Sequence, residues 1–185
     1  MSLEHAILGF LNYRPYTGYD LKKVFDTSIQ HFWPAKQSQI YKTLARMADM
    51  GWTDIEVVEQ TDRPDRKVYH ITDTGREAFR RWLITPIDFP ENRSAPMIQV
   101  FFAGQLPDAE ILAIFERVAA EIRTGLAEFE RNPRNIEAYS SYTQSPREFF
   151  CWMLTLDIGI STARANLEFA ENVIQRIRSG ELPPR

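Results

Sequence analysis

The chain has 185 residues but only one cysteine, Cys151, so it cannot close an internal disulfide. It has three histidines, His5, His31 and His70, too scattered to give a pair at metal-ligand spacing. Its longest apolar run, Phe149 to Leu156, falls far short of the roughly 20 residues that a membrane-spanning helix needs. No glycine-rich loop of the kind that cradles phosphates occurs, and no base stands beside Cys151 to activate its thiol. Glu168 and Glu171 mark no more than an exposed helix edge. These absences argue against an enzyme, a cofactor and a bound metal. No basic segment leads into a long apolar core and a cleavage site, so secretion is not indicated and a reducing cytoplasm is expected.

What is present is the composition of an ordinary globular protein, 44% hydrophobic and 25% charged. The formal net charge of -3 hides an asymmetry, since residues 1–85 sum to +1 and residues 86–185 to -4. Any polyanionic partner therefore belongs to the first half.

The most informative stretch is HFWPAKQSQIYKTLARMADMGW, His31 to Trp52. After Pro34 the apolar residues Ile40, Leu44 and Met47 recur at helical spacing and turn one stripe to a core. The opposite face carries Gln37, Ser38, Gln39, Tyr41, Lys42 and Arg46, with Lys36 leading into it and no acid from Lys36 to Ala48. Amides, hydroxyls and cations on a short helix are the groups that hydrogen-bond base edges and phosphates in a major groove. The same face on a helix that only meets water is the alternative reading. Gly51 is expected to end the helix as a left-handed cap.

Leu3, Ile7, Phe10 and Leu11 predict a first helix that stops before Arg14-Pro15. Leu21, Val24 and Phe25 predict a second, with Thr17 as its cap and Asp20 in the place of a capping-box acid. Beyond the third helix, Ile55 and Val57 on one strand and Val68 to Thr72 on a returning one predict a hairpin. Its tip carries Arg63, Arg66 and Lys67, with Asp62 and Asp65 partly neutralising them. A fourth helix, capped by Thr72 or Asp73, is expected to bury Ala78, Phe79, Trp82 and Leu83. Three helices, a two-stranded hairpin and one more helix is the order of a winged helix-turn-helix.

The proline-rich residues 86–96 read as a linker. Past a short apolar piece at Met97 to Ala103, Ile111, Phe115, Val118 and Ile122 predict one long helix that runs to Asn132-Pro133. Phe149, Met153, Leu156, Ile160, Leu167, Val173 and Ile177 line another, from about Arg147 to Ser179. This second helix carries more apolar surface than one neighbour can cover, which points to a second copy of the chain. The expected architecture is mainly α with a small β-hairpin. It comprises a winged helix-turn-helix DNA-binding domain at 1–85, a linker at 86–96, and a helical dimerisation domain of long helices at 97–185.

In LEHAILGFLNYRPYTGYDLKKVFD, FWPAKQSQIYKTLARMADMGWT and KVYHITDTGREAFRRWL the chain resembles the PadR family of bacterial transcriptional regulators. The later part is similar to the subgroup whose long C-terminal helices, like those of virulence-gene activators, interlock two chains. Ser-Gln-Ile-Tyr at Ser38 to Tyr41 stands where many relatives have Gly-Ser-Leu-Tyr.

The resemblance implies a homodimer on double-stranded DNA. Gln37, Ser38 and Gln39 would then lie nearest the base edges, followed by Tyr41, with Lys36, Lys42 and Arg46 near the backbone. Arg63, Arg66 and Lys67 would lie over the flanking groove. Tyr41 packed against the wing is the competing reading. Phe101, Phe102, Phe150 and Trp152 are candidate walls of a pocket for a small aromatic effector, because some relatives answer phenolic compounds and planar drugs; packing between helices is the other use of such a cluster. A winged-helix adaptor that binds protein instead of DNA is the alternative function, although its hallmark is an apolar or acidic face at the third helix.

Overall fold

The computed structural model describes residues 2–30, 32–61, 65–86, 94–131 and 145–183, which fall into two compact units, one before residue 89 and one after it. The first unit begins with α1, Ser2–Tyr13, which sends Ile7, Leu8 and Leu11 into the core. Arg14-Pro15 breaks it, and Tyr16–Thr17 continue extended as a short strand, β1. Thr17 is also the cap of α2, Gly18–Thr27: its Oγ1 accepts from the Asp20 N–H at 3.1 Å and donates to the Asp20 carboxylate at 2.7 Å. The capping residues expected from the sequence are the ones in place.

Helix α3, Gln37–Asp49, follows and buries Ile40, Leu44 and Met47 completely. Its end is a Schellman turn, in which Gly51 donates to the Ala48 carbonyl and Trp52 to that of Met47. Gly51 has φ +69°, a conformation that a β-carbon disfavours. The chain leaves this turn directly into β2, Thr53–Val58, which pairs antiparallel with β3, Arg66–Ile71.

The expected two-stranded hairpin is a three-stranded sheet in the order β1-β3-β2, because Tyr16 and Thr17 pair with Tyr69 and Val68. Two residues are too few for a visible alternation, so the third strand left no periodic signal. Helix α4, Asp73–Leu83, is capped by Thr72, whose Oγ1 accepts from Gly75 at 3.0 Å and donates to the Gly51 carbonyl at 2.7 Å. It half-buries Ala78 and Phe79 as expected, but Trp82 and Leu83 are exposed. Trp82 instead stacks on the His5 ring, 4.7 Å between centroids.

In the second unit α5, Ala95–Phe102, begins under a Ser94 cap and so takes up residues 95 and 96 of the stretch read as linker. Residues 87–93 of that stretch lie outside the described residues. A 3-10 turn at Ala103–Gln105 leads to α6, Asp108–Arg131, and the last helix, α7, is Pro146–Arg178. The two long helices pack on each other through Ile111, Phe115, Ala119, Ala170 and Ile174. Arg123–Glu171 and Arg178–Glu116, each 2.6 Å, bridge them at the surface. Among the described residues no helix is long and apolar enough to cross a membrane.

Candidate nucleic-acid interface

Three buried side chains on one stripe fix the rotation of α3 about its axis, so its other face is set as firmly as the core is. Lys36, Gln37, Ser38, Gln39, Tyr41 and Lys42 are all exposed there, as the spacing required. Lys36 has no side-chain acceptor to offer the leading N–H groups, and the first turn is held by Gln39 instead, whose Oε1 accepts from the Lys36 N–H at 2.8 Å. Gln39 therefore keeps its amide NH2 for outside contacts while its carbonyl oxygen is spent on the helix.

Two residues placed on the interface by sequence have partners within the fold. Arg46 forms an ion pair with Glu4 of α1, whose side chain is buried, so this cation ties α3 to α1. Arg66 donates through Nη2 to Asp20 at 2.8 Å and ties β3 to the start of α2. The Thr17 hydroxyl first, then the Arg66 guanidinium, hold the Asp20 carboxyl below its ordinary value, against the opposing effect of partial burial. Lys67 is exposed on β3, and Arg63 lies outside the described residues.

Tyr41 has both an exposed edge and a packed face. Its ring lies so close over Gly18 that a β-carbon there would stand 2.5 Å from it, which pins the ring to the start of α2. Burial pushes the Tyr69 phenol of β3 up from its ordinary value, and the neighbouring Tyr41 adds to the shift. Tyr41 thus joins α2, α3 and the wing, where the sequence had set a groove contact against packing on the wing alone.

The first turns of α2 carry groups that the sequence pattern does not single out. Tyr19 and Lys23 are exposed there, with the ammonium 4.6 Å from the ring centroid, and Arg14 lies over the Tyr16 ring at 4.7 Å. Their i, i+4 spacing in α2 was the available signal for the first pair.

The residues assigned to dimerisation divide into three groups. Ile111 and Phe115 are buried between α6 and α7 of a single chain, and Leu167, Val173 and Ile177 are half-buried against that same core. Ile122, Phe149, Met153, Leu156 and Ile160 are half-buried, and Val118 is exposed. Of the four effector-pocket candidates, Phe101, Phe102 and Phe150 are exposed and Trp152 is half-buried. Phe101 and Phe102 meet edge to face at 5.0 Å. A cavity of about 270 Å³ in this unit has Ala103, Phe115, Val173 and Leu182 in its walls and none of those four.

Residues 7–81 match the transcriptional regulator PadR-like family, and residues 92–178 match the virulence activator alpha C-term family. The probable transcriptional regulator Rv1176c of Mycobacterium tuberculosis is 45% identical over 87 residues, which are 47% of this chain and 46% of that protein. The negative transcriptional regulator PadR of Bacillus subtilis is 25% identical over 95% of this chain and 97% of that one. The structure of Bacillus subtilis PadR in complex with operator DNA superposes with a TM-score of 0.81 at 26% identity, over 96% of this chain and 99% of the other. The Vibrio cholerae virulence activator AphA gives a TM-score of 0.73 at 25% identity, over 96% and 98%. The fold is that of these winged-helix regulators, and the chain is homologous to them, with a PadR-like transcriptional-regulator domain at residues 7–81 and a virulence-activator C-terminal domain at residues 92–178.

Proposed function

We propose that the protein is a sequence-specific DNA-binding repressor that acts as a homodimer on a pseudo-palindromic operator in the cytoplasm. The observation that carries this reading is the exposed, acid-free face of α3, set by the buried Ile40, Leu44 and Met47. Gln37, Ser38 and the Gln39 amide face base edges at the end of the helix that enters the groove, and Lys36 and Lys42 meet phosphates. Tyr41 contributes its exposed edge, while Arg46 and Arg66 hold the reading head to α1 and α2. Lys67, with Arg63, tracks the backbone beside the wing. Similarity to a PadR solved on operator DNA supports the same docking.

Residues 1–85 act as the DNA-binding domain and 97–185 as the dimerisation domain, with the intervening residues as linker. Apolar side chains exposed in the single chain support the dimer, among them Ile98, Phe101, Phe150 and Ile158. Two copies place their α3 helices in successive major grooves about 34 Å apart. The related PadR is also solved with p-coumaric acid, which supports a small aromatic effector that releases the operator.

Selection of bound duplexes from a random library, followed by affinity measured against salt, tests this reading. An inverted repeat with half-sites about 10 base pairs or a multiple apart is the expected result. No enrichment and no binding at low salt would move the function to an adaptor that binds protein.

A further inference from the structure

The first turn of α3 is closed in both directions between the same two residues. Gln39 donates its backbone N–H to the Lys36 carbonyl at 3.0 Å, and the Lys36 N–H donates to Gln39 Oε1 at 2.8 Å. A backbone N–H needs an acceptor and an amide nitrogen cannot serve as one, so this bond fixes which end of the Gln39 amide is oxygen. Ile40, the next residue, is completely buried and holds the backbone of the turn to the core. Gln39 itself is exposed, at the end of α3 that leads into a groove.

Held this way, Gln39 offers an outside partner its NH2, while its oxygen is committed to the helix. Glutamine ordinarily reads adenine, with the oxygen accepting from N6–H2 and the NH2 donating to N7. That pairing asks the oxygen to leave Lys36 and would strip a helix N–H of its acceptor. With the cap intact, the amino groups of adenine and cytosine face a donor, and thymine offers a lone acceptor beside a methyl group. Guanine places two acceptors, O6 and N7, side by side in the major groove. We infer that Gln39 selects guanine at one position of each half-site, its NH2 donating to O6 and N7 while its oxygen caps α3. This rests on the reading that α3 enters the major groove, and gives one residue of that helix its base.

The test is selection of bound duplexes from a random library by the full-length protein, followed by competition between the selected duplex and its single-base variants. Wild type should prefer guanine over adenine by about tenfold or more at one position of each half-site, and 7-deazaguanine, which lacks N7, should weaken binding there. Gln39→Glu keeps an oxygen for the Lys36 N–H and has no NH2, so thermal unfolding should be unchanged while the guanine preference disappears at that position alone. Gln39→Ala, which brings no negative charge to the phosphates, should flatten the same position and unfold at a lower temperature, because the cap is lost with the donors. A wild-type preference for any other base at the position that the Gln39 variants alter, or a guanine preference that survives in both, overturns the assignment. If replacing Gln37 or Lys42 weakens binding while no position responds to Gln39, the docking of α3 stands and only this role falls. If wild type enriches no duplex, both fall.

Discussion

In the first unit Ile7, Leu8, Leu21, Phe25, Ile40, Leu44 and Met47 have essentially no exposed surface, and the sheet edge β1 closes over the same core. In the second, the described residues bury Ile111, Phe115, Ala119, Ala170 and Ile174 between two helices, while Phe101 is 81% exposed and Ile158 67%. The first unit seats these seven side chains in one core, leaves others such as Leu83 and Ile84 exposed, and on α3 presents a polar face, so the partner of that face is polar. The second leaves apolar area uncovered in one chain, so its partner is apolar. A single chain therefore shows two kinds of binding surface, one read by what it lacks and the other by what it fails to hide.

The largest effect that would break this contrast is in the first core. Leu44→Ala should cost about 2 to 5 kcal/mol of stability by deleting buried methyl groups and leaving a cavity behind α3. Denaturant unfolding measures it, and a loss under 1 kcal/mol would mean that α3 is not seated on this core. In the second unit the corresponding loss should appear in association. Replacing Ile98 and Ile158 by serine should weaken the dimer more than tenfold, at about 1.5 to 3 kcal/mol for each side chain that a partner covers. Sedimentation at falling concentration checks it, and unchanged association would place the dimer contact elsewhere.

The helical order was legible because the helices of the first unit put apolar stripes at period 3.6 and three of them stand beside a capping residue: Thr17, Thr72 and Gly51 are where their chemistry demanded. The two-residue β1 was not legible, since Tyr16 pairs with Tyr69, 53 positions away, and nothing local announces the pairing. The exposed face of α3 was readable for the same reason as its core, but the partners of that face were not. Arg46 and Arg66 were expected at the DNA, and only the fold brings Glu4 and Asp20 to them. The same limit explains Ile111 and Phe115: a seam that meets a second helix looks alike whether that helix belongs to the same chain or another.

Arg46→Ala sharpens the distinction between a residue that holds the reading head and one that reads. It should cost about 1 to 3 kcal/mol by leaving the buried Glu4 carboxylate without its partner. Glu4→Gln in the same chain should recover part of the loss, because the uncompensated charge is then gone. Operator affinity of the folded fraction should change little; a large loss would return Arg46 to the DNA contacts. Lys42→Ala should do the reverse. Stability should stay within about 0.5 kcal/mol, and affinity should fall for all sequences alike, with the salt slope shallower by about one. Loss confined to the preferred operator would make Lys42 a base reader.

The smallest effect concerns Asp20, which joins the α2 cap to the wing. Its carboxyl ionises below its ordinary value in the folded chain, chiefly through the Thr17 hydroxyl and also through Arg66. A depressed carboxylate contributes stability that is fully present above its unfolded value of about 3.9 and is lost as the pH falls through the folded value. The pair is partly exposed, so Asp20→Asn should cost only a few tenths of a kcal/mol at pH 6. Thermal unfolding of wild type and variant should converge as the pH drops below about 4. A gap that persists at low pH would assign the contribution to the hydrogen-bonded cap, which asparagine imitates imperfectly, and leave the Arg66 charge with no share in holding the wing to α2.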